Sequence, residues 1–178
     1  MPIQYANIND ILLNMNKQQV ALLVLLDLSA AFDTVDHFIL LRALGSLGIG
    51  RTVIEWYRSY LSGRGQRISV RGCTSERCNL DCGVPQGSCL GPLLFSIYTS
   101  SLLNIVQDLL PTANCHADDN QLYVSFSPAD ENGQSEAIAA MESGVRVIRN
   151  WMHENRLLMN ETKTEFLLIR TKQQLKLL

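Results

Sequence analysis

The sequence predicts an α+β domain of two layers, an antiparallel sheet with helices packed on one face. Three observations carry this reading. A continuous apolar run at residues 21–28 reads as a strand buried on both faces. Apolar residues recur at helical spacing over residues 8–18 and again over 135–154. Between these stretches, short segments bounded by glycine, proline and Asp-Asn clusters read as hairpins.

The elements follow in chain order. Ile8, Ile11, Leu12 and Met15 mark a short amphipathic helix. The apolar strand after it carries Asp27 near its end. Asp36 is placed to cap a helix over residues 38–47 that stops at Gly48. Thr52 is the expected cap of a second helix, residues 53–61. Residues 67–70 alternate as a strand, with 78–82 as the expected antiparallel partner. After the loop 83–88, GVPQGS, one long apolar helix is predicted over 90–109, its Pro92 tolerated in the first turn. Residues 112–117 and 121–126 read as strands joined at Asp118-Asp119-Asn120, a favourable turn sequence. Ile138, Met141, Val145, Ile148 and Trp151 mark the next helix, and residues 165–169 a last short strand.

Composition narrows the function. A chain of 178 residues, 47% hydrophobic, buries one core, and 18% charged residues argues against disorder. No apolar run nears the roughly 20 residues that cross a bilayer. The opening MPIQY lacks the basic flank and apolar stretch of a signal peptide, so an intracellular protein in nucleus or cytoplasm is expected, without membrane contact. Five cysteines at uneven spacing form no disulfide framework. Cys73, Cys78 and Cys82 cluster, but no histidine nearby completes a zinc tetrahedron, and free thiols beside a strand are expected.

The net charge of −2 counts against a self-sufficient nucleic-acid binder. Locally the balance differs, because Arg58, Arg64, Arg67, Arg71 and Arg77 share one stretch with only Glu76 against them. Such a run reads either as a solvated surface or as a phosphate-binding face.

The acids at strand ends carry the chemistry. Asp27 closes the most hydrophobic strand, and Asp118 and Asp119 sit where two apolar strands meet. Semi-buried carboxylates are costly unless neutralised, and a divalent cation is the usual neutraliser where several converge. Phosphoryl transfer with two metals needs carboxylates bridging ions about 3.5–4 Å apart. Taken singly, each acid is also ordinary: Asp-Asp-Asn is turn chemistry, and Asp33 and Asp36 are helix-start residues.

Longer stretches separate these readings. Residues 25–37, LLDLSAAFDTVDH, closely resemble motif A of non-LTR retrotransposon reverse transcriptases, and residues 83–95, GVPQGSCLGPLLF, resemble motif B. HADD at 116–119 is similar to motif C, and residues 151–169, with Asn155, Leu157, Asn160, Lys163, Thr164 and Phe166, resemble motif D. The four stand in family order, in the manner of the CR1/jockey-like elements.

The resemblance implies a polymerase palm and assigns roles. Asp27 and Asp118 would bind Mg2+, or Mn2+, with Asp119 beside them as the third acid. Phe32 would be the steric gate beneath the incoming sugar, and Gln86 would contact the incoming nucleotide. Gly83 and Gly87 would let backbone approach the template and nascent pair. Lys163 would lie near the triphosphate as a positive partner or proton donor. Arg64, Arg67 and Arg71 are the candidates for nucleic-acid contact. The partners implied are an RNA template, a DNA primer and deoxynucleoside triphosphates, and the reaction is RNA-directed DNA synthesis.

In that family, basic fingers precede motif A, a primer grip and thumb follow motif D, and an endonuclease region lies N-terminal to the polymerase. Residues 1–20 are therefore expected to be a remnant of the fingers–palm junction, 21–170 the palm and 171–178 a tail. Fingers and thumb would be largely missing, and the chain inactive without the rest of the element's protein. His116 stands where the family has Tyr or Phe, and Ser100-Ser101 replaces a more usual Asn-Asp pair. These departures leave two competing readings, an inactive retrotransposon relic and a host protein-interaction module.

Overall fold

The computed structural model describes residues 4–109, 114–116 and 119–171; for residues 4–8, 10, 107–109, 114–116, 119 and 120 the backbone alone is described. The chain opens with α1 (Gln4–Asn16) and turns into β1 (Val20–Leu26) and β2 (Leu28–Ser29). Two helices follow, α2 (His37–Ser46) and α3 (Arg51–Leu61). Four two-residue strands come next: β3 (Gly65–Gln66), β4 (Ser69–Val70), β5 (Cys73–Thr74) and β6 (Cys78–Asn79). Then come α4 (Gly91–Tyr98), α5 (Ser100–Leu109), β7 (Asn114–His116), β8 (Asp119–Phe126), α6 (Gly133–Glu154), β9 (Leu158–Met159) and β10 (Glu165–Ile169). Among the described residues, no helix is long and apolar enough to cross a membrane.

These elements fall into two compact units. The first holds the described residues of Met1–Ser29, Ser101–Glu154 and Leu158–Leu178; the second holds Ala30–Ser100 and Asn155–Leu157.

The first unit is built on an antiparallel sheet of order β10-β1-β8-β7. Its centre is β1, VALLVLL, which pairs on both sides and therefore meets no water along either edge. Val24 is fully buried, as is Leu122 opposite it on β8. Side chains alternate between faces. On one face Ala21, Leu23 and Tyr123 pack with Ile11 of α1, and Asn14 of α1 donates to the Tyr123 hydroxyl. The helix α6 packs on β8 and buries Ala137, Met141, Ile148, Trp151 and Met152. The expected mixture of antiparallel sheet and packed helices is present; α1 adds cover of its own, which its short pattern did not assign to a face.

The second unit packs α2 against α3 and α4. Leu40, Leu44, Leu94 and Phe95 are fully buried there. Asp36 caps α2 as expected, accepting from the Ile39 N–H at 3.0 Å. Its other carboxylate oxygen meets Arg156 Nη1 at 2.6 Å. The Tyr98 hydroxyl ties this corner to the end of α4, accepting from the Asp36 N–H at 3.3 Å and donating to the Asn155 carbonyl at 2.5 Å. Residues 83 and 84 pair with the chain after Ala30: Gly83 N–H donates to Val35 O and Val84 N–H to Phe32 O, each at 2.8 Å. Gly83 holds φ +87, and a Cβ there would lie 2.9 Å from the Asp33 carbonyl oxygen.

Four local expectations are corrected. The cap of α3 is Gly50, and Thr52 makes no cap because the helix has already begun at Arg51. The strand at 69–70 pairs with β5, and β3 pairs with β6, so one hairpin is nested within another. Arg71 and Gly72 both adopt positive φ, the geometry of a two-residue I′ turn, but arginine is an unusual first residue for it. The helix over 90–109 is two helices, broken at Thr99. Ser96, Thr99 and Ser100 all turn their hydroxyls back onto helix carbonyls, which competes with the backbone ladder. Finally, Asp119 and Asn120 belong to β8 and are not the turn; Ala117 and Asp118 lie outside the described residues.

Two outcomes follow for stability. Tyr98→Phe removes one partner each from the part-buried Asp36 N–H and Asn155 carbonyl, and should lower the unfolding free energy in urea by about 1–2 kcal/mol. Burial pushes the Tyr98 phenol above its ordinary value. The native state thus holds this proton more tightly than the unfolded chain. The associated stability is complete below the unfolded value of about 10 and is lost as pH rises through and beyond it. The urea midpoint should fall above that pH, less steeply in Tyr98→Phe. Separately, Gly83→Ala should cost about 1–2 kcal/mol for the left-handed backbone and more for the Asp33 clash. Gly87→Ala, at φ +75 with nothing near the added Cβ, should incur only the first cost; equal urea midpoints for the two variants would remove the packing account of Gly83.

Candidate functional site

The apolar register of β1 ends at Leu26, and Asp27 is the residue at which the chain leaves the sheet. Its backbone is fixed from the far end of the sequence. The Asp27 carbonyl accepts from the Asn160 N–H at 2.8 Å, next to the β2–β9 pairs Leu28↔Met159 and Ser29↔Leu158. Asn160 in turn organises a tight turn: its carbonyl accepts from the N–H groups of Lys163 and Thr164 and from the Thr164 hydroxyl, while its side chain accepts from Thr162. That turn delivers Lys163, whose Nζ stands 3.5 Å from Asp27 Oδ2.

Asp27 is 31% exposed overall, yet its Oδ2 is buried and accepts no hydrogen bond from the described residues. Lys163 is 69% exposed, and 3.5 Å is long for a charge-assisted hydrogen bond, which closes to about 2.7–2.9 Å. A buried anionic oxygen left in this condition is expensive. Its environment suits a compact cation as a ligand partner, and a hard carboxylate oxygen is the donor that divalent magnesium or manganese takes.

The β7–β8 hairpin supplies the neighbouring strand. Its last pair with β1 is Leu26↔Asn120, and Asp119 pairs with His116 across the hairpin. The position after Leu26 and the position before Asn120 are thus consecutive in the antiparallel register, where facing Cα atoms lie about 5 Å apart. Strand pairing carries the Asp119 backbone to the end of the sheet where Asp27 stands. Asp118 lies outside the described residues, and of Asp119 only the backbone is described. Among the described residues no three His, Cys, Asp or Glu side chains gather in a cluster.

The other candidates belong to the second unit. Phe32 is half-buried and stacks at a tilt on the buried Phe95, ring centroids 5.0 Å apart. Gln86 and Gly87 are exposed. Arg64 lies over the Tyr60 ring at 5.8 Å, while Arg67 and Arg71 are exposed on the nested hairpins. Cys73, Cys78 and Cys82 are free and exposed. Asp33 is exposed, and its backbone serves as the floor beneath Gly83. Asn160 had no role assigned from sequence, since its hold on Asp27 runs through the main chain, which any residue offers.

The family model for reverse transcriptase (RNA-dependent DNA polymerase) matches residues 3–178. An RNA-directed DNA polymerase from the mobile element jockey of Drosophila funebris is 37% identical over 90 residues, covering 51% of this chain and 10% of the relative. The Pol polyprotein from the type-1 retrotransposable element R2 of Popillia japonica is 35% identical over 91 residues, 51% of this chain and 15% of the relative. A probable RNA-directed DNA polymerase from transposon BS of Drosophila melanogaster is 30% identical over 146 residues, 79% of this chain and 16% of the relative. The chain thus spans only a small part of these relatives' length. Apo telomerase from Candida tropicalis, truncated of its C-terminal domain, superposes with a TM-score of 0.65 at 14% identity, covering 94% of this chain and 34% of that truncated chain, which establishes likeness of fold. With the motifs in order and the match running almost end to end, the chain belongs to the reverse transcriptase (RNA-dependent DNA polymerase) family, in its non-LTR retrotransposon branch.

Proposed function

We propose that this chain is the palm of an RNA-directed DNA polymerase, with Asp27, Asp118 and Asp119 as its metal-binding carboxylates. In this reading residues 21–170 are the palm and residues 1–20 its junction with fingers. Membership of the family implies dependence on a divalent cation and a nucleic-acid template and primer; the finer reading is Mg2+, with Mn2+ able to replace it, an RNA template and a DNA primer. One observation carries the proposal: the buried Oδ2 of Asp27 at the end of the central strand, which accepts no hydrogen bond from the described residues and stands at the end of the sheet where β8 begins with Asp119.

In the reaction, the primer 3′-oxygen bonds to the α-phosphorus of the incoming deoxynucleotide, the bond from that phosphorus to the bridging oxygen breaks, and pyrophosphate leaves. Bound divalent cations supply activation of the attacking hydroxyl and neutralisation of the leaving charge. The residues of the chain position and neutralise. Asp27 presents a fixed anionic oxygen, because β1 and the Asn160 hydrogen bond immobilise its backbone. Lys163 offers an exposed ammonium beside it, suited to meet the triphosphate and to protonate the departing pyrophosphate. Phe32, held against Phe95, presents a rigid ring as the sugar gate. Gln86 offers an exposed amide and Gly87 an open backbone to the nucleotide.

Primer extension on poly(rA) primed with oligo(dT), in Mg2+ or Mn2+, tests this directly. Asp27→Asn should reduce extension by about a hundredfold or more, and should also abolish the rise in Tm that Mn2+ gives the parent chain. Extension by the variant at the parent's rate would sink the assignment. Lys163→Gln should lower kcat by about a hundredfold while shifting the KM for deoxynucleotide less; an unchanged kcat would take Lys163 out of the chemistry. If the parent extends no primer yet binds Mn2+ through Asp27, the inactive-relic reading is the one that survives.

A further inference from the structure

The helices α2 and α3 of the second unit enclose a groove that the polymerase reading does not use, with a volume of about 400 Å³. Phe38, Leu41 and Arg42 line it from α2 at the spacing of one helix face, and Ile54, Arg58 and Leu61 line it from α3 at i, i+4 and i+7. The same face of α2 continues to Gly45, where a Cβ would lie 3.6 Å from Ile54 Cδ1. The two helices thus meet closely at Gly45, and the groove is lined by the turns of α2 that precede it. The His37 ring, at the head of α2, is tied to the Gly83 carbonyl at 2.8 Å and fixes that end.

The groove has an apolar floor and a basic rim. Leu61 is buried, Leu41 and Ile54 are half-buried, and Phe38 is 73% exposed, more than any other large apolar side chain among the described residues. A phenylalanine at that exposure adds nothing to the core of the unit, and beside a groove it marks a surface that something else covers. Among the described residues no Asp or Glu lines the groove. Arg42 is exposed and forms no ion pair among the described residues. Arg58 meets Glu55 at 3.3 Å, but with both side chains more than half exposed the pair contributes little and exchanges readily for a better partner. Every lining residue belongs to the second unit, so the surface is complete within it.

We infer that this groove seats the apolar stripe of an acidic amphipathic helix from a partner protein. Large aliphatic side chains at i, i+3 or i+4, and i+7 of that helix enter between Phe38, Leu41, Ile54 and Leu61, and carboxylates flanking the stripe meet Arg42 and Arg58. The sign of the rim rejects a basic helix, which would set like charges against both guanidiniums. It also selects against a purely apolar segment, which would leave the rim without partners. A polyanion without apolar groups satisfies the arginines alone, because Leu41, Ile54 and Leu61 offer no flat face on which a base could stack.

The test is fluorescence anisotropy of the full chain with a fluorescein-labelled model helix of about 18 residues, leucine along one stripe and glutamate on both flanks. This peptide should bind saturably, and the same peptide with lysine for every glutamate should not. Phe38→Ser should weaken binding about tenfold or more with the circular dichroism spectrum unchanged, and Phe38→Leu should retain most of the affinity. Arg42→Glu should weaken the acidic peptide by about fivefold or more and confer measurable affinity for the lysine peptide. Val53→Ser, exposed on α3 but outside the groove, should bind as the parent does. No binding of the acidic peptide, equal binding of the two peptides, or parent affinity in Phe38→Ser and Arg42→Glu would each overturn the inference. A dimer in sedimentation velocity that Phe38→Ser dissociates would give the groove to a second copy of this chain, and an oligo(dT) strand whose binding is lost in Phe38→Ser would give it to nucleic acid; either result overturns the partner-helix assignment.

Discussion

The pairing of β1 on both of its edges is the constraint on which the first unit rests. A strand flanked by β8 on one side and β10 on the other has no backbone group left for water, and with α1 over the Ala21 and Leu23 face and α6 on the Leu22 side its residues are apolar on both faces. It also has no freedom of register: a slip of one residue would move Ala21 and Leu23 away from Ile11 and Tyr123 and exchange the two faces. The first place at which a charge is tolerable is the residue where the run stops. That residue is Asp27, and the same register that buries Val24 opposite Leu122 brings Asn120 opposite Leu26. The position of the acid is thus a consequence of the hydrophobic pattern and needs no contact of its own to set it.

A second consequence lies in the order of the chain. The elements that frame Asp27 come from three distant stretches: β1 near the beginning, the β7–β8 hairpin after the α-helical middle, and the turn at residues 160–164 near the end. Cross-strand hydrogen bonds join them, and each join leaves the side chains at that end of the sheet free to differ. The carboxylate and the ammonium of Lys163 are held 3.5 Å apart by backbone geometry more than by their own attraction, since an ion pair with one partner 69% exposed contributes little by itself. An exposed lysine that closes no hydrogen bond with its carboxylate is positioned for exchange with another cation or for contact with another anion.

What the sequence made legible and what it hid divide along physical lines. Strong periodicity and strong caps were readable: β1, β10, α6 and the Asp36 cap stand where pattern and chemistry put them. Short-range competition was not. Three hydroxyls bonding back to carbonyls break the helix at Thr99, although every residue there is compatible with helix. The nested hairpins turn on Arg71 in a left-handed conformation, which no propensity announces. Main-chain links are equally silent, which is why Asn160, legible as part of motif D, carried no sign of its hold on the Asp27 backbone. Gly83 illustrates a different gap: its need for a missing Cβ was readable, but the atom that would collide belongs to Asp33 of the same chain.

Net charge is blind to placement for a related reason. A total of −2 conceals an uneven distribution: residues 51–77 hold six of the eleven arginines and only two acids, whereas the rest of the chain holds fifteen acids against nine basic residues. Charges separated by more than a Debye length of about 8 Å in physiological salt scarcely feel one another. Whatever meets the exposed Arg67 and Arg71 therefore responds to the local balance of charge and not to the total. In the first unit Asp27 stands at the end of the central strand beside Lys163, and in the second the six arginines of residues 51–77 share their stretch with two glutamates.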